Sequence, residues 1–189
     1  MIDLYIDFKC PASYLALQPT LAMSDKLDVA ISWHALRSYQ APLLQEKPDE
    51  EVGERHRRVR ALARQKTHML YAGVQNLPMQ FRDPPTSADM ALAALCVLTA
   101  RGDDLLAFIT AAFSAYWTGD ADLDDGDIVA ALSGAPSLPD AESARRQLEA
   151  ALKRSEESGI FTSPTYVVNE QIFVGRENLP WISEILQPA

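Results

Sequence analysis

The chain has 189 residues, of which 48% are hydrophobic, so it is long enough to bury a core in one domain or in one domain with an insertion. Its 17 basic and 26 acidic residues give a net charge of −9, which speaks against nucleic-acid binding. The first residues show no basic segment followed by an apolar one, and no apolar run reaches about 18 residues, so neither export nor a membrane span is expected. Two cysteines do not make a disulfide framework, and we expect a protein of the reducing cytoplasm.

The chain opens with a strand, a helix and a second strand. Residues 2–8 alternate between apolar and polar, residues 13–25 carry apolar side chains at helical spacing, and residues 28–34 alternate again. This order predicts a βαβ unit. Between about 36 and 140 helical periodicity dominates, and helices are predicted over residues 50–73, 87–101, 103–117 and 125–133.

The last part of the chain returns to strands. A helix is predicted from the capping residue Asp140 to Ser158, with Gly159 following its end. Residues 165–169 and 171–174 predict a β-hairpin, which Gly175 ends, and residues 179–186 predict a final helix. The element order predicts an α/β thioredoxin fold with a helical domain inserted between the second and third strands. Residues 1–35 and 140–189 would form the thioredoxin-like domain, and residues 36–139 the insertion, lying over the first turn.

Cys10 follows the first strand and precedes the first helix. The helix N-terminus and the neighbouring Lys9 predict an accessible thiol with a pKa below its ordinary value of about 8.5. A small buried hydrophobic side chain is the alternative interpretation. Ser13 stands where a Cys-x-x-Cys pair would have its second sulfur, so a mixed disulfide on Cys10 would need a free thiol, most simply glutathione. Cys96 lies in an apolar helix and is interpreted as a buried structural residue.

Three segments carry a resemblance to a known family. Residues 7–16 read Asp-Phe-Lys-Cys-Pro-Ala-Ser-Tyr-Leu-Ala, residues 159–168 read Gly-Ile-Phe-Thr-Ser-Pro-Thr-Tyr-Val-Val, and residues 173–179 read Phe-Val-Gly-Arg-Glu-Asn-Leu. They are similar to D-F-x-S-P-x-S-Y-L-A, G-V-F-G-V-P-T-F-V-V and F-x-G-x-D-R-L of the DsbA-like thioredoxin superfamily. Within it, the likeness is to the 2-hydroxychromene-2-carboxylate isomerases and kappa-class glutathione transferases.

The resemblance implies a site that uses glutathione as cosubstrate or cofactor. Cys10 takes the place of the family's catalytic serine, and Cys10 and Ser13 are the candidate catalytic residues. The bond before Pro164 is expected to be cis and close to Cys10, because the family motif carries a cis-proline. A homodimer is also implied. The candidate glutathione-binding residues are Pro11, Ser163, Pro164, Arg176, Glu177 and Asn178, of which Glu177 and Asn178 replace the family's aspartate and arginine.

Three functions remain open from the sequence. The first is a glutathione-dependent isomerase or transferase acting on a small aromatic carboxylate-type electrophile, in which Cys10 acts by hydrogen bonding. The second is a monothiol disulfide oxidoreductase, in which Cys10 is the nucleophile. The third is a thioredoxin-fold module that binds peptides without catalysis.

Two further groups of residues allow two interpretations each. Asp7 is either a buried proton acceptor or an exposed carboxylate at a strand end. A basic run is either a solvated helix face or a lining of the crevice that attracts an anionic substrate. Its members are Arg55, Arg57, Arg58, Arg60, Arg64 and Lys66. The three histidines have no spacing typical of metal ligands, so no metal site is expected.

Overall fold

A computed structural model describes residues 1–40, 45–134 and 140–187. The ends of the two predicted domains, at residues 139 and 189, lie outside the described residues. The strands are β1 (Ile2–Ile6), β2 (Ile31–Ala35), β3 (Thr165–Val168) and β4 (Gln171–Val174). The α-helices are α1 (Pro11–Leu27), α2 (Val52–Val74), α3 (Asp89–Arg101), α4 (Leu106–Thr118), α5 (Gly126–Ser133), α6 (Ala141–Glu157) and α7 (Leu179–Leu186). No helix in the described ranges is long and apolar enough to span a membrane.

The four strands form one mixed sheet in the order β2-β1-β3-β4. β1 runs parallel to β2 and antiparallel to β3, and β3 pairs with β4 through a hairpin. Asn169 and Glu170 both have positive φ in that turn, as a two-residue type I′ hairpin requires. In the described ranges, five helices stand between β2 and β3, so the predicted thioredoxin fold with a helical insertion is confirmed.

Helices cover both faces of the sheet. Tyr166 of β3 meets Thr20 of α1 through a 2.8 Å hydrogen bond, which places α1 on one face. Tyr5 and His34 point to the opposite face, where they line a cavity with residues of α3 and α6. α3 is apolar around its circumference and buries eight of its 13 residues, as a helix at the centre of a core does.

The insertion is fixed to the turn that carries Cys10. The indole N–H of Trp117 in α4 donates to the Phe8 carbonyl at 3.0 Å, and the Trp117 ring stacks on Tyr14 with centroids 5.8 Å apart. Trp117 therefore couples α4 to both ends of the β1–α1 turn.

A second tie joins α1 to α2. Pro19 lies inside α1 and has no N–H to donate to the carbonyl of Leu15, four residues earlier. Gln75, directly after α2, donates its Nε2 to that carbonyl at 3.2 Å. The carbonyl that Pro19 leaves free is therefore satisfied from the insertion.

Candidate active site at the start of helix α1

Cys10 is the N-cap residue of α1, and Pro11 is its first helical residue. Proline suits this position because its missing N–H would have no partner there and its φ fits a helix. The helix thus begins two residues before the predicted start at 13. The N-cap position of Cys10 directs its sulfur towards the backbone of Ser13 and towards the start of β3.

The predicted cis-proline lies beside the thiol. The Ser163–Pro164 bond is cis, and the Cys10 thiol donates a hydrogen bond to the Ser163 carbonyl at 3.2 Å, across 153 residues of sequence. Two of the three segments that carry the resemblance therefore meet at the sulfur of Cys10.

The predicted accessible thiol with a lowered pKa is wrong. Cys10 is only 4% exposed, and burial raises the pKa of its thiol, because the thiolate loses its hydration. Polar groups of Ser163 and Ser13 close to the sulfur oppose this effect but do not outweigh it. The charge of Lys9 is directed elsewhere, since its Nζ lies 4.0 Å from the Asp7 carboxylate. Cys10 is therefore a protonated hydrogen-bond donor in this structure.

The sequence left open whether the Asp7 carboxyl is buried or exposed at a strand end, and the structure shows that it is buried. It is fully buried, and burial raises its pKa. Its Oδ2 accepts from the backbone N–H and the hydroxyl of Ser38 at 2.8 and 2.7 Å, and its Oδ1 accepts from the Lys9 N–H at 3.1 Å. Asp7 thus holds the β1–α1 turn against the segment after β2, and its charge adds to the rise in the Cys10 pKa.

Two hydroxyl groups beside Cys10 lack partners. The side-chain oxygens of Ser13 and Ser163 are buried and make no hydrogen bond within the described parts of the chain. A buried hydroxyl without a partner is costly. These two donors would be satisfied by an anion, such as a thiolate, placed next to the Cys10 sulfur.

A cleft of about 310 Å³ lies beside this point, and we call it the Ser163 cleft; Ser163 lines it, whereas Cys10 and Ser13 lie behind its wall. Its walls come from α1, α2, the start of β3 and the segment after β4. The lining residues include Ala12, His68, Tyr71, Ser163, Pro164, Arg176 and Glu177.

The lining of the Ser163 cleft carries charges of both signs. The Arg176 guanidinium lies over the Tyr71 ring, 4.2 Å from its centroid, so a cation is held by α2 at this wall. The carboxylate of Glu177 lies against the backbone of Gly175, where any side chain would displace it. The cleft therefore offers one cation and one anion for a ligand that carries both charges, as glutathione does.

Asn178, a candidate glutathione-binding residue, uses its side chain to hydrogen-bond the backbone of its own turn. Its Nδ2 donates to the carbonyls of Val174 at 2.6 Å and Gly175 at 3.4 Å, and among the described residues it does not line either large cleft near Cys10. Pro11 lines the neighbouring cleft rather than the Ser163 cleft.

The neighbouring cleft has a volume of about 610 Å³, and we call it the Arg64 cleft. It shares Ala12 and His68 with the Ser163 cleft. Its lining includes Pro11, Ala12, Tyr39, Gln40, Arg64, His68, Phe81, Arg82 and Asp83. Aromatic rings and two guanidinium groups make it suitable for a flat anionic molecule.

The sequence allowed the basic run of α2 to be either a solvated helix face or a lining of the crevice, and its members differ in this respect. Arg64 lines the Arg64 cleft, whereas Arg58 forms two 2.8 Å hydrogen bonds with the Glu50 carboxylate. Sequence reasoning missed His68 and Tyr71 as cleft residues. Arg64, His68 and Tyr71 are spaced by four and three residues, so they share one helix face, and this spacing was the available signal.

Cys96 is only partly buried, where full burial was expected. It packs against the core and lines a separate cavity that includes Tyr5 and His34. Burial raises the pKa of the Cys96 thiol to about 11, so it is protonated at neutral pH.

Comparison with known proteins gives both a family and a set of structural neighbours. A family model described as a DSBA-like thioredoxin domain matches residues 1–187. No curated protein sequence matches the chain.

The neighbours include enzymes of two kinds. A 2-hydroxychromene-2-carboxylate isomerase superposes with a TM-score of 0.62 at 15% identity, over 97% of this chain and 92% of its own. The cytosolic disulfide reductase DsbM from Pseudomonas aeruginosa superposes with a TM-score of 0.56 at 16% identity, over 98% and 94% of the two chains. A structure of DsbM with GSH superposes with a TM-score of 0.53 at 15% identity, over 98% and 95%. At these identities the likeness concerns the fold.

Proposed function

Since the chain belongs to the DSBA-like thioredoxin domain family, we propose that it is a glutathione-dependent isomerase or transferase acting on a small aromatic carboxylate-type electrophile. The observation that carries the proposal is the state of Cys10. Its thiol is buried and protonated beside Ser163, which lines the Ser163 cleft, and its one hydrogen, which goes to the Ser163 carbonyl in this structure, would turn to a sulfur anion bound next to it. A group in this state stabilises a neighbouring sulfur anion better than it attacks a disulfide.

Glutathione fits the Ser163 cleft by chemistry. Its sulfur would lie beside Cys10, where the unpartnered hydroxyls of Ser13 and Ser163 can donate to it. Glu177 would pair with the ammonium of the γ-glutamyl end, and Arg176 with a carboxylate.

The electrophile would occupy the Arg64 cleft. In the isomerase reaction the glutathione sulfur adds to a carbon of a conjugated double bond, and the electron pair moves onto the conjugated carbonyl oxygen. Rotation about the resulting single bond and elimination of the same sulfur restore the double bond and release glutathione. Arg64 and Arg82 supply the positive charge that a carboxylate of the substrate needs.

A monothiol oxidoreductase is the second candidate. It is favoured by the position of Cys10 at a helix N-cap with Ser13 three residues later, and by the neighbouring structure of DsbM with GSH. In that reaction the Cys10 sulfur would attack a disulfide and release one thiol, and glutathione would then resolve the mixed disulfide.

Replacing Cys10 separates the two candidates. If Cys10 acts by hydrogen bonding, Cys10→Ser should keep most of the glutathione-dependent isomerisation of a hydroxychromene-type carboxylate. Cys10→Ala should then lose about 100-fold, or roughly 2.7 kcal/mol of transition-state stabilisation. Cys96→Ser is the matched control and should behave as the parent.

The opposite outcome is equally clear. If turnover of a small glutathione mixed disulfide disappears in both Cys10 variants, and the parent does not isomerise the carboxylate, the oxidoreductase function replaces the proposed one.

We also propose that the protein is a cytoplasmic homodimer, as the resemblance implies. Support comes from α2, which leaves large apolar side chains exposed: Val52, Val59, Leu62, Met69, Leu70 and Val74. Sedimentation at micromolar concentration should give a species of twice 20.9 kDa, and a single species of 20.9 kDa would contradict the dimer.

A further inference from the structure

His68 lies where the two clefts meet. Among the described residues, only Ala12 and His68 line both the Ser163 cleft and the Arg64 cleft, and Ala12 has no group that can carry a proton. A proton that moves between molecules bound in the two clefts therefore has His68 in its path.

The imidazole ring of His68 packs against an aromatic ring, and its nitrogens are available for hydrogen bonding. Its ring is roughly parallel to the Phe81 ring, with an angle of 16° and centroids 6.4 Å apart. Within the described ranges of the chain, neither ring nitrogen makes a hydrogen bond. Phe81 thus positions the ring and leaves a nitrogen available to accept a proton.

The surroundings of His68 favour its neutral form. Burial lowers its pKa most, and the positive charges of Arg176 and Arg64 lower it further. The charged and titratable groups on the walls around it are Arg64 and Tyr71 from α2, Arg176 and Glu177 after β4, and Tyr39, Arg82 and Asp83 from the other segments. Three guanidinium groups face two carboxylates, so an imidazolium formed here returns its proton readily.

We propose that His68 is the general base that removes the thiol proton of glutathione, a role that rests on the proposed glutathione-dependent function. The proton passes from the glutathione sulfur to a His68 nitrogen, and the thiolate forms its bond to the electrophilic carbon. When elimination breaks the carbon–sulfur bond, the released thiolate takes the proton back from His68. In a transfer reaction the proton leaves instead with the displaced group, so charge balances in both cases.

The test compares two histidines of the same helix. His68→Gln removes the base, and His68→Asn is a second variant of different length. His56→Gln is the matched control, because His56 is exposed and lines neither cleft. Circular dichroism establishes that each variant is folded.

Two measurements are made on each variant with glutathione itself. Calorimetry gives the affinity, and ultraviolet difference absorbance gives the fraction of bound glutathione that is thiolate across a pH series. We expect the His68 variants to bind glutathione but to lose the thiolate signal at neutral pH, with a fall in turnover of about 100-fold. The His56 variant should match the parent.

A third measurement concerns the acid side of the pH profile of the glutathione thiolate signal. Arg64→Gln removes one of the cations that lower the His68 pKa, so the pH at which the thiolate signal is half lost should move upwards. Arg64→Gln combined with His68→Gln measures the direct effect of Arg64 on the sulfur, and a midpoint shift of the same size in that background would contradict the role of His68 as base.

The outcomes distinguish the two proposals. If glutathione binds and the His68 variants keep the parent's thiolate fraction, His68 is not the base and the glutathione-dependent function stands. If glutathione does not bind the parent at millimolar concentration, both proposals fail.

Discussion

Gly175 is the position at which a single methyl group should disturb the site most directly. Its φ of 89° and ψ of 151° lie in a region that is nearly restricted to glycine, and other residues there cost about 1–3 kcal/mol. In addition, a Cβ at this position would meet the Glu177 carboxylate. Gly175→Ala should therefore both strain the backbone and move Glu177 out of the Ser163 cleft.

The expected size of the effect follows from these two costs. For a chain of this length, a loss of 1–3 kcal/mol corresponds to a fall in Tm of roughly 2–12 °C. Loss of a charge-assisted hydrogen bond to the ligand should weaken glutathione binding about tenfold. Differential scanning calorimetry and titration calorimetry measure the two effects separately.

Gly73→Ala provides the control for Gly175→Ala. Gly73 lies in α2, and a Cβ there would meet nothing within 4 Å, so this variant should be stabilised by up to about 1 kcal/mol without a change in glutathione affinity. If Gly175→Ala keeps the parent's Tm and affinity, the reasoning from backbone conformation and crowding is wrong. If only the Tm falls, Glu177 does not contact the ligand.

Three further predictions concern the surroundings of the thiol. In native protein at pH 7, alkylation followed by mass spectrometry should find Cys10 and Cys96 both slower than an unfolded thiol, and a fast Cys10 would refute its burial and raised pKa. The raised pKa of Asp7 favours the folded state at low pH and costs stability as pH rises past about 4. In urea unfolding, the free energy of unfolding of Asp7→Asn should therefore rise relative to that of the parent as pH increases. A difference between the two that stays constant with pH would contradict this. Trp117→Phe removes the donor to the Phe8 carbonyl and should cost about 1–3 kcal/mol in urea unfolding, whereas an unchanged midpoint would show that the bond contributes nothing.

The fold could be predicted closely because its signals are local. The hairpin strand at residues 171–174 and the last helix at 179–186 match the structure residue for residue, since β-branched alternation and turn residues are read within a few positions. The cap Asp140 was equally readable, and it accepts the backbone N–H of Ser143 in its helix.

The candidate site was predictable in its location but not in its electrostatics. The burial of Cys10 depends on residues from the distant segment around Ser163, and no local pattern reveals how completely they cover the sulfur. Lys9 was adjacent in sequence but turns its charge towards Asp7. The role of His68 in lining both clefts depends on where α2 lies over α1, which only the tertiary arrangement decides.

The hydrogen bond from Gln75 to the Leu15 carbonyl determines how firmly one wall of both clefts is held. Of the 23 residues of α2, all described, only Ala72 is buried, and it lies close to this bond. The helix is therefore packed most tightly near its C-terminal end, and the rest of its length is half-buried along one face, at Glu54, Arg58, Ala61, Gln65 and His68. Its amide protons should exchange with solvent in a gradient, slowest near Ala72, whereas those of the buried helix α3 exchange together. Ligand entry would then be accompanied by motion in the less buried part of α2, without rearrangement of the core.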